Sequence, residues 1–297
     1  MESIDIKHTL SWVAWPFLLC LCVVITHFGF VAGHPIIGFN IAYLTLALSL
    51  FFLEKYMPHE KKWLENDHQT FANIAHTLTS KGVVQGLMIF GGVVGVSAII
   101  TSMTSDGFGL WPRDWPLIIQ VIMGVTLAEF GLYWAHRLSH EYYPLWRFHA
   151  VHHSVTRLWI INTGRFHFID SLFSIVLGVS ILLILGAPME VITWLSALTA
   201  FIGMLTHCNV TMRFGWISYV FNTPELHRWH HSRDLREGNK NYCENIMLWD
   251  HVFGTWFNEK RRPPVDIGIA ESMPPTFIAQ LAWPFKGLIR KRKKKAL

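Results

Sequence analysis

Eight histidines fall into three clusters. His136 and His140 are spaced H-x-x-x-H, His149, His152 and His153 H-x-x-H-H, and His227, His230 and His231 H-x-x-H-H again. Imidazole is the commonest protein metal ligand, and it suits iron, copper, nickel and zinc. Residues three and four apart share one helix face. Each cluster therefore presents at least two ring nitrogens in one direction. One ion takes about four to six ligands, so eight imidazoles match two ions. A lone histidine is ordinarily a hydrogen-bonded core residue, but three clusters at ligand spacing go beyond that. They are also internal and interrupted, unlike a poly-histidine tag.

Other residues are candidates to complete the site. His207 follows a long apolar run and suits a ninth ligand, or equally a histidine hydrogen-bonded at the membrane border. Ligating imidazoles need their second nitrogen held by a carboxylate, amide or carbonyl. Glu129 lies two helical turns before His136 on the same face. A carboxylate there is costly without a partner, so it is a candidate acceptor for a ligand histidine. Asp170, Asn209, Asn241 and Asp250 are further candidates for that role, or else helix and turn caps. His167, in Arg165-Phe166-His167, is read as a supporting group rather than a ligand. No catalytic residue is assigned beyond the metal ligands.

The donor set narrows the chemistry. Zinc proteases use H-E-x-x-H, with the glutamate as general base. Here the interior residues are Arg137-Leu138-Ser139, Ala150-Val151 and Arg228-Trp229, which supply no such base. Structural zinc usually brings cysteine, yet Cys20, Cys22, Cys208 and Cys243 form no CxxC pair and no disulfide framework. A nitrogen-rich two-metal site beside lipid suits redox iron, although the ligand type alone also allows zinc. The chain has no Rossmann glycine fingerprint, haem-attachment motif or iron–sulfur cysteine set, so electrons must come from an external donor.

The elements that position these residues are apolar. The 297-residue chain is 52% hydrophobic and 15% charged, with a mean hydropathy of +0.32. An average soluble domain carries about 25% charged residues. Six runs read as membrane helices: Ser11–Val31, Ile36–Leu53, Gly82–Met103, Pro116–Trp134, Ser171–Leu185 and Val191–Leu205. The last two are short enough to form a hairpin that does not fully cross. Under six spans, the loops at 32–35, 104–115 and 186–190 hold one basic residue, Arg113, and the other 24 of the 25 Lys and Arg face the opposite side. The positive-inside rule then places both termini and all the histidine clusters in the cytoplasm. The pI near 9.0 fits membrane phosphate better than nucleic acid, because the charge flanks apolar spans.

Local signals agree with this frame. The fourth run continues through Tyr133-Trp134-Ala135 into His136, so one helix carries His136 and His140 out of the bilayer. A turn at Tyr143-Pro144 precedes the second cluster. Thr223 and Pro224 mark a helix start before the third, with Thr223 as the cap. The expected fold is an all-α, polytopic membrane bundle of four to six membrane helices, with a cytoplasmic helical cap carrying a dimetal site. Residues 1–115 would form N-terminal spans, 116–257 the histidine-bearing catalytic domain, and 258–297 an interfacial segment with a polybasic tail.

The ordered set of clusters resembles the fatty acid hydroxylase and sterol desaturase superfamily of integral-membrane di-iron enzymes. The resemblance covers roughly residues 120–257. It is carried also by Tyr133-Trp134-Ala135-His136-Arg137, Arg165-Phe166-His167, Thr223-Pro224-Glu225-Leu226-His227, Asn241-Tyr242 and Trp249-Asp250-His251-Val252-Phe253-Gly254-Thr255, and extends to the alkylglycerol monooxygenase branch. Some relatives have a further H-x-x-x-H before the third cluster. Here His207 is followed at the fourth place by Thr211, so one of that pair is present. The resemblance implies two irons held by the histidines, and O2-dependent hydroxylation of a lipid C–H bond, or desaturation. Electrons would come from a reductase, a b-type cytochrome or a ferredoxin, or from a tetrahydropterin for an ether-lipid monooxygenase. The membrane would be a bacterial inner membrane or the endoplasmic reticulum. A membrane metal transporter is the competing non-enzyme reading; it predicts ligands strung across the bilayer. The apolar segment Phe277–Ile289 and the basic run Arg290–Lys295 read as an interfacial anchor, or as a dock for an acidic electron donor.

Overall fold

A computed structural model describes residues 5–93 and 110–294. Helix α1 spans Ile6–Val31 and α2 spans Pro35–Tyr56. The corner between them places Pro35 in the first turn of α2, where its missing N–H costs nothing. Helix α3 covers Thr70–Val93. The expected span Gly82–Met103 lies outside the described residues beyond Val93. Helix α4 (Leu117–Glu141) and α5 (Tyr143–His153) carry the first two clusters. Helices α6 (Phe168–Leu185) and α7 (Met189–His207) run in opposite directions from one corner, and each packs on α4. Gly186, at φ 78°, adopts the left-handed conformation that ends α6 and opens the Gly186-Ala187-Pro188 corner.

Short helices follow: α8 (Ile217–Val220), α9 (Pro224–His230), α10 (Leu235–Gly238) and α11 (Leu248–Val252). The chain closes with α12 (Phe277–Lys294). Among the described residues there is no β-strand, only isolated bridges such as Pro58 with Val210. The protein is therefore all-α.

Among the described residues five helices, α1, α2, α4, α6 and α7, are long and apolar enough to cross a membrane. Their outward faces show large apolar side chains to the surroundings, including Phe28 at 65% and Ile184 at 80% exposure. So much exposed apolar surface is tolerable only in contact with lipid. Inside, Trp15, Leu46, Leu50, Phe201 and Leu205 join α1 and α2 to α7. Val121, Val125, Leu182, Val191 and Trp194 join α4 to α6 and α7. Helices α4 and α6 touch backbone to backbone: a Cβ on Gly131 would lie 2.1 Å from the Leu177 carbonyl oxygen.

The cap forms at one end of this bundle. It gathers the start of α1, the ends of α2, α4 and α7, and all of α5 and α9. Glu54, buried at the end of α2, accepts from the backbone N–H of Ile160 (3.0 Å) and Asn209 (2.9 Å). Arg228 of α9 is fully buried and donates to the carbonyls of Cys208 (2.9 Å) and Val210 (3.1 Å). These bonds draw the ends of α2, α7 and α9 to one place. The first half of α12 packs on the cap. Arg147 of α5 donates to the Trp283 carbonyl (2.8 Å) and lies 3.3 Å over its ring, while Gln280 bonds His76 of α3 (3.0 Å). That half of the expected interfacial segment thus packs on the cap.

Candidate metal centre

Nine buried or largely buried imidazoles converge in two sets. His136, His140, His149, His153 and His230 form one; His152, His207, His227 and His231 form the other. Within each set the ligand-capable nitrogens all lie within 4.8 Å of one another. Each H-x-x-H-H cluster is divided between the sets. On α5, His149 and His153 turn to the first set and His152 to the second, and α9 sends His230 one way and His227 with His231 the other. The sets adjoin: the His153 and His231 rings stack at 4.4 Å.

The first set is oriented by acceptors behind the rings. His136 Nδ1–H donates to the Tyr242 carbonyl (2.6 Å) and His230 Nδ1–H to the Lys240 carbonyl (2.8 Å). His149 Nδ1 lies 2.9 Å from Asp170 Oδ2, and His140 Nδ1 lies 3.1 Å from Asn239 Oδ1. A carbonyl only accepts, so His136 and His230 carry their protons on Nδ1. Their Nε2 atoms are then bare lone pairs, and both are buried with no protein partner. His153 Nε2 lies 3.1 Å from both His140 Nε2 and His149 Nε2. One His153 proton cannot satisfy so many converging lone pairs. A cation can, and the donor set therefore fits a metal ion.

The second set is held more loosely. His207 Nδ1 lies 3.2 Å from Asn162 Oδ1, and its Nε2 is 2.8 Å from His227 Nε2, which is 3.1 Å from His231 Nε2. The His152 ring lies flat on Phe166, with centroids 4.1 Å apart. The Nδ1 atoms of His152, His227 and His231 have no protein acceptor. Burial, with neighbouring imidazoles second, holds His152, His153, His227, His230 and His231 well below the ordinary imidazole pKa. They are neutral at pH 7, the form that binds metal.

Of the expected supporting residues, Asp170 alone touches a ligand ring. Glu129 is fully buried but does not reach His136. It accepts from the backbone N–H of Glu244 and Asn245 and from the Asn245 amide. Asp250 likewise accepts from the backbone N–H of Tyr242 (3.0 Å) and Cys243 (2.8 Å). Both carboxylates act at one remove, by fixing the loop whose Tyr242 carbonyl holds His136. Asn241, left-handed at φ 56°, sits between the two carbonyls that receive His230 and His136. Its amide is fixed by the carbonyls of Leu226 (3.1 Å) and Phe257 (2.8 Å).

Two further expectations are corrected. His167 touches no ligand histidine: its Nδ1 caps α6 by accepting from Ile169 N–H, and its Nε2 meets the Leu281 carbonyl. Asn209 bonds the backbone of Glu60 in both directions and stays clear of the ligand rings. A smaller difference concerns Thr223, whose hydroxyl pairs with Ser218 (3.0 Å) instead of capping α9. Asn162, Asn239, the Lys240 and Tyr242 carbonyls and Phe166 are supports the sequence reading missed.

Asp170→Ala is expected to weaken metal binding by about 10–100-fold, because it leaves the His149 Nδ1–H without its acceptor. Asp170→Asn keeps an acceptor oxygen and should recover most of the affinity. Metal titration of the apo-protein followed by elemental analysis decides it; equal affinity in Asp170→Ala and the unaltered chain would remove Asp170 from this role.

These features define a polytopic helical membrane protein with a histidine-only centre shaped for two metal ions. The chain belongs to the fatty acid hydroxylase family, whose pattern matches residues 121–255, and with it to the oxidoreductases. It is 48% identical over 292 residues to the ornithine lipid hydroxylase OlsE of Rhizobium tropici, an alignment covering 98% of this chain and 88% of that one. It is 26% identical to the fatty acid hydroxylase vlmA of Lecanicillium sp, covering 85% of this chain and 70% of that one. Human alkylglycerol monooxygenase is 28% identical over 152 residues, 51% of this chain and 33% of its own length. No solved structure matches.

Proposed function

We propose that this chain is a membrane-bound di-iron oxygenase that hydroxylates a C–H bond of an ornithine-type aminolipid. The observation that carries the reading is the pair of buried imidazole sets at one end of a membrane bundle. The 48% identity to an ornithine lipid hydroxylase along nearly the whole chain supports the substrate class. The overall reaction takes R–H, O2, two electrons and two protons to R–OH and water. Two irons held by the nine histidines would supply O2 activation when bound.

The protein's own part is positioning and exclusion. Asp170, Asn239 and the Lys240 and Tyr242 carbonyls hold four rings with Nε2 inward. Burial keeps the imidazoles neutral and water scarce, which protects a reactive centre. Neutral, buried imidazoles do not deliver the two protons at pH 7, so these enter from outside the ligand set. Electrons come from a separate donor, since no flavin, haem or iron–sulfur motif is present in the sequence. The histidine end faces the cytoplasm on this reading, on the strength of the lysine and arginine distribution. Gathering of the ligands at one end, and not along a path through the bundle, argues against ion transport. The ether-lipid reading rests on a match to half of the chain and is weaker for it.

Lipid mass spectrometry tests this directly. Cells making ornithine lipid would express the intact chain or His152→Ala. The intact chain is expected to add one oxygen to that lipid, and the variant none. Loss of two hydrogens would make the enzyme a desaturase. Unchanged ornithine lipid in the presence of a folded, metal-loaded chain and a reductase would sink the proposal. A product appearing only with added tetrahydropterin would favour the ether-lipid branch.

A further inference from the structure

A second site lies at the same end of the bundle, outside the histidine centre. The first turns of α1, the end of α2, the 3-10 turn Lys61–Leu64 and the stretch at Thr211 and Arg213 border an open groove of about 570 Å³. Lys7, Lys55, Lys61 and Arg213 all line it. Its acidic residue, Asp5, is engaged in capping α1 by accepting from Lys7 N–H (3.0 Å). Among the described residues none of the four cations forms an ion pair, whereas other exposed arginines do, such as Arg236 with Asp234 and Arg261 with Glu237. Four like charges along one groove make a positive field that favours a bound anion.

The level of the groove identifies the anion. Lys7 lies 4.7 Å over the Tyr56 ring, Lys55 4.0 Å over Phe51 and Arg213 6.0 Å from Trp12. These rings sit at the ends of two membrane helices, where aromatic residues mark the headgroup layer. Backbone bonds fix the walls: Thr211 N–H donates to the Met57 carbonyl (2.8 Å) and Arg213 N–H to the Ser11 carbonyl (2.7 Å). From the groove α1 and α2 continue with exposed Val13, Leu48 and Phe52, a surface for acyl chains. The volume falls within the range of about 300–1,000 Å³ that holds small ligands.

We propose that this groove binds the phosphate headgroup of a membrane phospholipid, which seats the α1–α2 hairpin at the bilayer surface. Positive charge at a membrane border follows from topology alone. A groove bordered by four cations that form no ion pair among the described residues is a more specific arrangement. The site does not depend on the reaction at the histidines.

The test is native mass spectrometry of the full chain released from detergent with phosphatidylglycerol, compared with diacylglycerol, which lacks the phosphate. The intact chain is expected to retain one phosphatidylglycerol in preference to diacylglycerol. Lys55→Gln/Lys61→Gln/Arg213→Gln should bind it on the order of a hundredfold more weakly, since each cation near a membrane surface contributes about fivefold. All three side chains are exposed, so the variant should fold. If it does not, Lys61→Gln alone should show about a fivefold loss. Lys286→Gln, exposed on α12 away from the groove, should change nothing. Equal retention by the intact and triple-variant chains would overturn the site. So would an equal loss in Lys286→Gln, which would reduce the effect to general surface charge. Full displacement of the lipid by millimolar inorganic phosphate would overturn the lipid assignment in favour of a soluble anion.

Discussion

His153→Ala is expected to abolish lipid hydroxylation and to reduce the metal content from two ions per chain to one or fewer. His153 occupies the middle of the centre. Its Nε2 lies 3.1 Å from the Nε2 atoms of both His140 and His149, and its ring stacks on His231 of the other set. Removing it opens the five-histidine set at the side that faces the second set. Loss of an outer partner costs about 10–100-fold in metal affinity or activity, so loss of a ligand in this position should exceed a hundredfold. The chain should stay folded, because His153 ends α5 and the last turn of that helix remains anchored by Arg165, which donates to the Val151 carbonyl (3.1 Å). His251→Ala is the matched control: that ring is exposed and bonds the Tyr219 carbonyl far from both sets. Elemental analysis of purified protein, run beside lipid mass spectrometry, reads both effects. Two metals and full turnover in His153→Ala would refute the centre as described.

The histidines were legible in the sequence because their information is local. An i, i+3, i+4 spacing on a helix states which rings share a face, without any knowledge of the fold. The same spacing does not say that His152 and His153, adjacent in the chain, serve different sets. That division depends on where α9 sits against α5, which Arg228 and Glu54 decide through backbone carbonyls and N–H groups of distant loops. The acceptors behind the rings were harder still. Every residue has a carbonyl, so nothing in their residue types marks Lys240 and Tyr242 as the acceptors for His230 and His136. Glu129 and Asp250 stood out as carboxylates in apolar surroundings, yet they act on the loop and not on the rings. Membrane helices were readable from long apolar runs, while α8, α10 and α11, at four or five residues each, are too short to show a period. His167 is ambiguous in sequence for a related reason: one histidine before a helix carries no spacing, and a cap and a metal support look alike until the helix is in place.

The second large effect concerns packing, and it starts from a residue outside the centre. Gly131→Val is expected to destabilise the protein by about 3 kcal/mol or more, the upper end for overpacking a close-packed site. A Cβ at Gly131 would stand 2.1 Å from the Leu177 carbonyl oxygen, 2.5 Å from its carbon and 2.9 Å from Gly178 Cα. All three are backbone atoms of α6, which cannot turn aside as a side chain can, so the helices must separate. Gly131 is also five residues before His136 on α4, and Leu177 is seven after Asp170 on α6. Separation at this crossing is transmitted along both rigid helices toward His136 and Asp170, and metal content should fall with stability. Gly131→Ala should show the same sign at smaller size. Gly203→Ala is the contrasting change in α7, where a new Cβ meets only Thr163 Cγ2 at 4.0 Å, an ordinary contact. There alanine should be neutral or stabilising by about 1 kcal/mol or less, because it restricts the unfolded backbone. Thermal unfolding in detergent, with metal analysis of the folded fraction, separates the two glycines. If Gly131→Val unfolds at the temperature of the unaltered chain, the backbone contact between α4 and α6 is not part of the folded protein.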